Sequence, residues 1–352
     1  MIDLLTHLKE MLSAAGLSGF ESPIRKIVQE AWAPLTDELT VSKIGSLHGL
    51  KTGQGEQPRK RVMISAHMDA IGMMVTGIHD GLMRFTEIGG IDHRILPGQL
   101  VTVHGREDLP GVVVQPPAYL FPEGDSDGPV EMKYLLVDVG LRPDEVAQKV
   151  RVGDIISFAQ EPLELTGDAI AGHTLDNRVS VAATTLCLEE LKSREHHWDV
   201  WAVASAQEEE TLGGALTSPF DIRPDIAIVI DVCFARGPGS SDWRSIPFGK
   251  GVGLGYGPNI HPALFQLFED KAKELEIPYH RDVMPRMSGT DAMAIQVVAE
   301  GIPCMVLGIP LRYMHTPVET VSLKDIRRAG RLMAAVIADL APDALEHIKW
   351  EE

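Results

Sequence analysis

The feature that most constrains the fold is a change of hydrophobic pattern inside the chain. From about residue 164 onward, near-continuous apolar runs alternate with stretches of helical periodicity. Such runs are typical of strands in a sheet that helices cover on both faces. Residues 70–163 instead hold short β-rich runs separated by Gly, Pro and Asp turns, as in a small β-barrel or sandwich. We therefore predict an α/β fold, in which a mixed sheet flanked by helices carries an inserted small β-barrel domain.

The N-terminal part of the chain belongs with the α/β pattern. Apolar residues at helical spacing predict a first helix, and Ser22 followed by Pro23 predicts the start of a second one. We predict that one domain comprises residues 1–69 and 164–352, and that the inserted domain comprises residues 70–163. Two domains agree with a chain of 352 residues, at roughly 150 residues per domain.

Helices and strands are predicted in alternation after residue 164. The last helix is predicted to begin at Ser322, and Asp325 three residues later resembles the acidic partner of a capping box. The predicted elements are a helix at 177–192, strands at 199–206 and 225–232, a helix at 262–276, a strand at 279–284, a helix at 290–299, a strand at 303–309 and a helix at 323–340.

Composition excludes several classes of protein. The chain has 50 acidic and 32 basic residues and a net charge of −18, whereas a nucleic-acid-binding surface is basic. No apolar run approaches the ~18–20 residues that span a bilayer, and the N-terminal segment lacks the basic region of a signal peptide. The cysteines Cys187, Cys233 and Cys304 are scattered in apolar segments, which favours a reducing compartment. We expect a cytoplasmic, soluble protein without nucleic-acid or membrane partners.

The run RVMISAHMDAIGMMV places His67 and Asp69 inside an otherwise apolar segment. One interpretation is a buried histidine whose ring is satisfied by a nearby carboxylate. The other is a metal ligand whose ring is oriented by the acid two residues later. This stretch alone does not decide between the two interpretations.

Other potential metal ligands also lie where predicted strands end. Three consecutive glutamates begin at Glu208 after the strand 199–206, and Asp231 closes the next strand. His315 follows the last predicted strand, and Asp176 opens a predicted helix. In open α/β sheets, ligands gather in the crevice beyond the carboxyl ends of the strands. We therefore expect these side chains to converge at one edge of the sheet.

Each of these residues has a purely structural explanation when it is considered alone. The glutamates could form a solvated acidic loop, Asp176 could cap a helix, and His315 could lie in a turn. Asp231 is harder to explain, because it lies in an apolar run and an unpaired buried charge is very costly. Taken together, the acids require a cation, and no lysine or arginine lies directly beside them in the sequence.

Two histidines and three carboxylates suit a pair of divalent cations that share one bridging carboxylate. Imidazole combined with carboxylate favours zinc, cobalt or manganese over calcium. Two such ions about 3.5–4 Å apart can lower the pKa of water and polarise a carbonyl group. One carboxylate must then stay unligated to accept the proton, and the adjacent Glu208 and Glu209 can divide these roles. We expect two divalent metal ions per subunit, with zinc placed ahead of cobalt and manganese.

Two other functions compete with a metal-dependent hydrolase. A glycoside hydrolase would use paired carboxylates without a metal, but it leaves His67, Asp231 and His315 without a role. A non-catalytic metal-binding scaffold would explain the ligands without any reaction. The glycoside hydrolase would remain active after chelation, and the scaffold would be insensitive to Glu208→Gln.

The order of several motifs is similar to that of a known family. Seven stretches occur in the family's order between about residues 60 and 326, namely AHMDAIG, LDNR, QEEE, IDV, GPNIHP, SGTDA and RYMHTPVE. On these motifs the sequence resembles the tetrahedral aminopeptidases, cytosolic dinuclear metallopeptidases that include glutamyl and deblocking aminopeptidases. The resemblance implies hydrolysis of N-terminal residues from peptides. It also implies a zinc-peptidase-like α/β domain that carries a β-rich inserted dimerisation domain.

The resemblance implies a role for each candidate residue. The implied metal ligands are His67, Asp176, Glu209, Asp231 and His315. Asp176 would bridge the two metals, with His67 and Asp231 completing one site and the remaining two ligands completing the other. Glu208 would act as the general base, and Asp69 would orient the ring of His67. The family assembles into dimers and then hollow tetrahedral dodecamers, so self-association is expected.

Some positions depart from the family's usual pattern. Ala70 stands where the family usually has Glu, Glu210 where it usually has an apolar residue, and Ser180 where Gly is common. None of these departures removes a predicted ligand. The motif SGTDA is expected either to shape the substrate pocket or to begin a helix at Thr290. His261 in GPNIHP is expected to lie in a loop and not to bind metal.

Overall fold

The computed structural model describes residues 2–117, 119, 128–240 and 242–349. The remaining positions fall within the predicted domain ranges and lie outside the described residues. The described chain contains one mixed sheet flanked by helices and one closed antiparallel barrel. The predicted fold class is therefore confirmed. The domain boundaries at 69/70 and 163/164 stay a prediction, although the barrel strands all lie between Gly72 and Phe158.

The mixed sheet has a parallel centre and antiparallel edges. Its strands, in spatial order, are β1 (Glu38–Val41), β2 (Leu47–Lys51), β12 (Asp199–Ser205), β3 (Arg61–His67), β13 (Ile226–Phe234), β16 (Cys304–Arg312), β17 (Glu319–Ser322), β11 (Ala169–Gly172) and β10 (Leu163–Leu165). β14 (Val252–Tyr256) pairs with β16 and with β15 (Tyr279–Val283). The four neighbours β12, β3, β13 and β16 run parallel, so their carboxyl ends meet at one edge.

Helices cover this sheet, as the apolar strands predict. They are α1 (Leu4–Leu12), α2 (Ser22–Trp32), α4 (Leu175–Glu190), α5 (Glu208–Thr211), α6 (Gly213–Ile222), α7 (Pro262–Glu274), α8 (Ala292–Ile295) and α9 (Leu323–Ala338). α4 is buried along most of its length and packs against α9. A Cβ at Gly330 would lie 2.7 Å from the carbonyl oxygen of Ala183, so this close approach requires glycine. Among the described residues, no helix is long and apolar enough to cross a membrane.

The barrel consists of six antiparallel strands that close on themselves. Around the barrel they are β4 (Gly72–His79), β5 (Leu82–Ile88), β8 (Leu136–Asp138), β7 (Asp108–Val114), β6 (Leu100–His104) and β9 (Ile155–Phe158). The short helix α3 (Pro143–Lys149) matches the single brief helical pattern seen in this region. Apolar side chains such as Met73, Val103 and Val137 are fully buried in its interior. Closure leaves no free strand edge, which stabilises a small sheet without help from helices.

Two local predictions differ from the structure. The helix predicted at 290–299 is reduced to α8, a single turn at Ala292–Ile295. Ser322 does precede α9, but its side chain makes no capping hydrogen bond. The Asp325 carboxylate instead accepts hydrogen bonds from the backbone of Gly251 at 3.0 Å and from Arg328 at 2.7 Å. A tertiary partner and a cation therefore replace the local capping box.

Candidate metal centre and active site

Parallel strand ends bring the predicted ligands together. His67 is the last residue of β3, and β12 beside it ends in register at Ser205. Glu208 and Glu209 follow three and four residues later and begin α5. Asp231 lies within β13, opposite Gly308 of β16. The carboxyl edge of the sheet thus positions side chains that are far apart in the sequence.

Asp176 lies between the two histidines. Its Oδ1 is 3.2 Å from Nε2 of His67, and its Oδ2 is 3.5 Å from Nε2 of His315. Asp176 and Asn177 have non-helical backbone angles, so the regular helix begins only after Asn177. A carboxylate that presents one oxygen to each of two imidazoles has the geometry of a bridging ligand.

The other acids divide into two groups around this carboxylate. Nε2 of His67 is 3.8 Å from an oxygen of Glu208 and 3.8 Å from an oxygen of Asp231. Nε2 of His315 is 3.6 Å from Oε2 of Glu209. Two sets of three side chains place ligand atoms within 4.8 Å of one another, namely His67 with Glu208 and Asp231, and His67 with Asp176 and Glu209.

Asp69 holds the turn that carries the two glutamates. Its carboxylate accepts hydrogen bonds from the backbone N–H groups of Glu208 at 3.0 Å and Glu209 at 3.2 Å. Nδ1 of His67 lies 3.2 Å from the backbone carbonyl of Asp69 and 3.6 Å from its carboxylate. A proton on Nδ1 would leave Nε2 free to face the acids, as in metal-bound histidines.

Residues next to several ligands have left-handed backbone conformations. Thr174, Gln207 and His315 itself all have φ of 61°. This region is uncommon for residues other than glycine, and such strain is concentrated at functional sites. The surrounding hydrogen bonds therefore hold the ligand loops in conformations that the local sequence does not favour.

Two acids that support the site were not selected from the sequence. The buried carboxylate of Glu319 accepts hydrogen bonds from the backbone N–H of Asp176 at 3.0 Å and of His315 at 2.8 Å. The carboxylate of Asp291 accepts from the hydroxyls of Ser65 at 2.7 Å and Ser205 at 2.6 Å. Their presence in the motifs RYMHTPVE and SGTDA was the available signal, but neither follows a strongly apolar run.

Burial raises the pKa values of Glu208, Glu209 and Asp231. For Asp176 this effect is outweighed by hydrogen bonds with His315 and His67, which hold its pKa well below the usual range. Burial raises the pKa of Glu208 to about 7, with Asp291 and Asp69 adding to the effect, while the positive charge of His67 opposes it. Burial and the neighbouring Asp176 raise the pKa of Glu209 to about 8. Burial likewise raises the pKa of Asp231 well above its usual range. The protein itself therefore supplies too few positive charges to neutralise these buried carboxylates.

Divalent cations suit this group of donors. Within the described ranges, no lysine or arginine forms an ion pair with Asp176, Glu208 or Asp231. Buried acids of this kind need a cation, and carboxylate oxygens with imidazole nitrogens are suitable ligands for zinc, cobalt or manganese. The residues present therefore fit a metal centre on their own chemistry.

The centre opens into a cavity of about 940 Å³. Acidic side chains line one side, and Phe234, Met284 and Met293 contribute apolar walls. The segment after β5 reaches the rim of the cavity at His315, where the carbonyl of Gly90 accepts a hydrogen bond from Nδ1 of His315 at 2.8 Å. A cavity with apolar walls and a few converging polar groups is typical of a substrate site.

Two solved structures that share this fold are peptidases. A TET aminopeptidase from a marine sediment archaeon of the Thaumarchaeota superposes with a TM-score of 0.93, at 30% identity over 98% of this chain and 99% of that chain. The Pyrococcus horikoshii TET1 peptidase, which can assemble into a tetrahedron or a large octahedral shell, has a TM-score of 0.84 at 28% identity, over 96% of this chain and 100% of that one. The fold and the acidic site therefore define a peptide hydrolase.

Sequence comparison identifies the particular family. The lysyl aminopeptidase of Pyrococcus furiosus is 35% identical over 341 residues, which cover 95% of this chain and 97% of that protein. The model of the M42 glutamyl aminopeptidase family matches residues 45–332, and this chain belongs to that family. The resemblance to tetrahedral aminopeptidases and the expectation of a peptide hydrolase are thereby confirmed.

Proposed function

We propose that this protein is a dinuclear metal-dependent aminopeptidase that removes N-terminal residues from peptides. The position of Asp176 is the observation that carries the proposal. Its two oxygens face His67 at 3.2 Å and His315 at 3.5 Å, which suits a carboxylate shared by two cations. Membership of the M42 family supports the reaction class.

Each proposed metal site combines an imidazole with carboxylates. His67 and Asp231 would hold one ion, Glu209 and His315 the other, and Asp176 would contribute one oxygen to each. We propose zinc, with cobalt and manganese as alternatives that the same donors accept. When bound, the two cations would polarise the scissile carbonyl and lower the pKa of a water molecule.

Glu208 is the proposed proton carrier. As general base it would take a proton from the attacking water and later return it to the leaving amine. Burial raises its pKa to about 7, close to the value that is useful for both steps. The hydrogen bond from its backbone N–H to Asp69 fixes the position of the Glu208 backbone, from which the side chain projects. Glu208 also lies among the potential ligands, so the proposal requires that its carboxylate stays unligated.

We propose that the chain self-associates into dimers through the inserted barrel domain and then into dodecamers. The assemblies of the Pyrococcus horikoshii relative support this proposal. We also propose a cytoplasmic location. Three free, buried cysteines, at Cys187, Cys233 and Cys304, are compatible with a reducing compartment.

A panel of aminoacyl chromogenic substrates tests the function. The purified protein is chelated, and zinc, cobalt or manganese is then added back before each substrate is assayed. We expect hydrolysis that disappears on chelation and returns with at least one metal. Activity on a β-glucan that survives chelation would favour the glycoside hydrolase. Metal binding without hydrolysis of any substrate would favour the scaffold.

A further inference from the structure

A carboxylate in the cavity has no role in the proposed reaction. Asp282 lies on β15 and lines the same cavity as the acidic centre. None of the described residues donates a hydrogen bond to its carboxylate or forms an ion pair with it, although the residue is half-buried. The neighbouring Arg281 does not compensate, because it pairs with Glu269 at 3.3 Å.

Asp282 lies on the same face of the sheet as the proposed ligand Asp231. Asp231 and Cys233 are two residues apart on β13 and therefore project to one face. A Cβ at Gly308, which is in register with Asp231, would lie 2.8 Å from Sγ of Cys233 and 3.6 Å from Oδ2 of Asp282. β14 and β16 lie between β15 and the ligand strand β13, but the Asp282 side chain reaches across them to Gly308, so its carboxylate lies close to Cys233 on that face.

The surroundings of Asp282 suit a long apolar stem that ends in a cation. Met284 and Met293 line the cavity with flexible apolar surface. The two arginines of the cavity, Arg244 and Arg286, are both exposed, and Arg244 is already paired with Asp242 at 3.0 Å. Apart from the acidic centre, the least exposed charged residue that lines the cavity is therefore Asp282, and none of the described residues supplies its counter-ion.

We propose that Asp282 recognises the cationic side chain of an N-terminal lysine or arginine in the substrate. The inference rests on the proposed aminopeptidase function and names the substrate class of that site. The methylene stem would pack against the methionines while the cation pairs with the carboxylate, as lysine and arginine side chains do at protein surfaces. Asp282 is thus a specificity-determining residue and takes no part in the bond-breaking step.

The test compares two side chains of similar length that differ in charge. The ratio of kcat/KM for lysyl over norleucyl p-nitroanilide is measured for the parent protein and for Asp282→Asn. We expect the parent to favour the lysyl substrate, and the variant to lower the ratio roughly ten- to hundredfold. Asp270→Asn is the matched control, since Asp270 lies on α7 and lines no part of the cavity.

A second measurement separates recognition from catalysis. Free L-lysine and L-norleucine are titrated against the metal-loaded protein by calorimetry, and we expect tighter binding of lysine that Asp282→Asn abolishes. If no substrate is hydrolysed but lysine still binds selectively, the proposed reaction fails while the recognition stands. A parent protein that prefers norleucine in both measurements, or a ratio that Asp282→Asn leaves unchanged, overturns the inference.

Discussion

The barrel and the carboxyl edge of the mixed sheet differ in whether their buried polar side chains have partners within the protein. Between Gly72 and Phe158, the buried polar side chains of the described residues are Asp154 and Ser157. Asp154 accepts hydrogen bonds from the backbone and side chain of Arg151, and Ser157 contacts His104 at 2.8 Å. Each buried polar group of the barrel therefore has a local protein partner.

The sheet edge instead gathers acids that the protein does not neutralise. Burial raises the pKa of Glu208 to about 7 and of Glu209 to about 8, and Glu319 shifts in the same direction. Such shifts oppose stability, because they report how much the folded state disfavours the charged form. The paired polar groups of the barrel stabilise the fold. The unneutralised acids at the sheet edge lower its stability and are instead available to bind a cationic ligand.

The largest expected effect is on catalysis at the sheet edge. Glu208→Gln keeps the size of the side chain but removes its ability to accept a proton, so we expect kcat to fall by roughly 10²–10⁴-fold. Metal content, measured by plasma mass spectrometry on the same sample, should stay near that of the parent. Glu300→Gln, at an exposed position, is the matched control. Full activity of Glu208→Gln would contradict the proposal that Glu208 is the general base.

The next largest effect is on stability in the barrel. Val137→Ala removes two methyl groups from a fully buried side chain, and we expect the free energy of unfolding to fall by about 2 kcal/mol. Val152→Ala makes the same change at a position that is 64% exposed, and should have little effect. Thermal unfolding with parallel activity assays at 25 °C measures both. If Val137→Ala lowers kcat without lowering the unfolding temperature, the barrel core contributes to catalysis and the contrast between the two regions is wrong.

Asp282 should oppose stability in a pH-dependent way. Burial raises its pKa from 3.8 to about 6, so the folded state binds more protons than the unfolded state between these values. Stability is therefore lost as the pH rises through this window, and the loss is complete above about pH 6. We expect Asp282→Asn to stabilise the protein by about 1–2 kcal/mol at pH 8 and to have no such effect near pH 4.

Unfolding temperatures of parent and Asp282→Asn at pH 4, 6 and 8 check this expectation. Asp270→Asn again provides the control, because its carboxylate is exposed. An Asp282→Asn difference that is constant across the three pH values would mean that the carboxylate is not held in a destabilising environment.

The smallest expected effect lies where the two regions meet. Glu210 accepts a hydrogen bond from the backbone N–H of Gly89 at 2.5 Å, and the adjacent Gly90 carbonyl contacts His315. We expect Glu210→Ala to reduce kcat/KM about two- to tenfold, because this rim segment loses one anchor. Glu210→Gln keeps an acceptor oxygen and should retain most of the activity. Steady-state kinetics distinguishes the two variants, and equal losses would assign the effect to charge instead of the hydrogen bond.

Much of the fold was predictable because periodicity is a local property. The apolar runs at β3, β12, β13 and β16 matched strands, and the β-rich texture matched a barrel. The helix predicted at 290–299 is limited to one turn, because after Ile295 the backbone continues in tight turns, in which the N–H of Val298 bonds to the carbonyl of Ile295 at 3.1 Å. A tertiary contact also takes part, since the side chain of Asn259 donates a hydrogen bond to the carbonyl of Ala292 at 3.3 Å.

The sequence by itself determined which side chains reach the carboxyl ends of the strands, since strand length and residue order place them there. Only the tertiary structure decided that Asp176 lies between His67 and His315 and that Glu319 holds the backbone of two of these residues. It also decided that Asp282 faces the cavity with no partner among the described residues. The physical reason is that strand order and register arise from long-range packing. Periodicity identifies the face of a strand but not its neighbours.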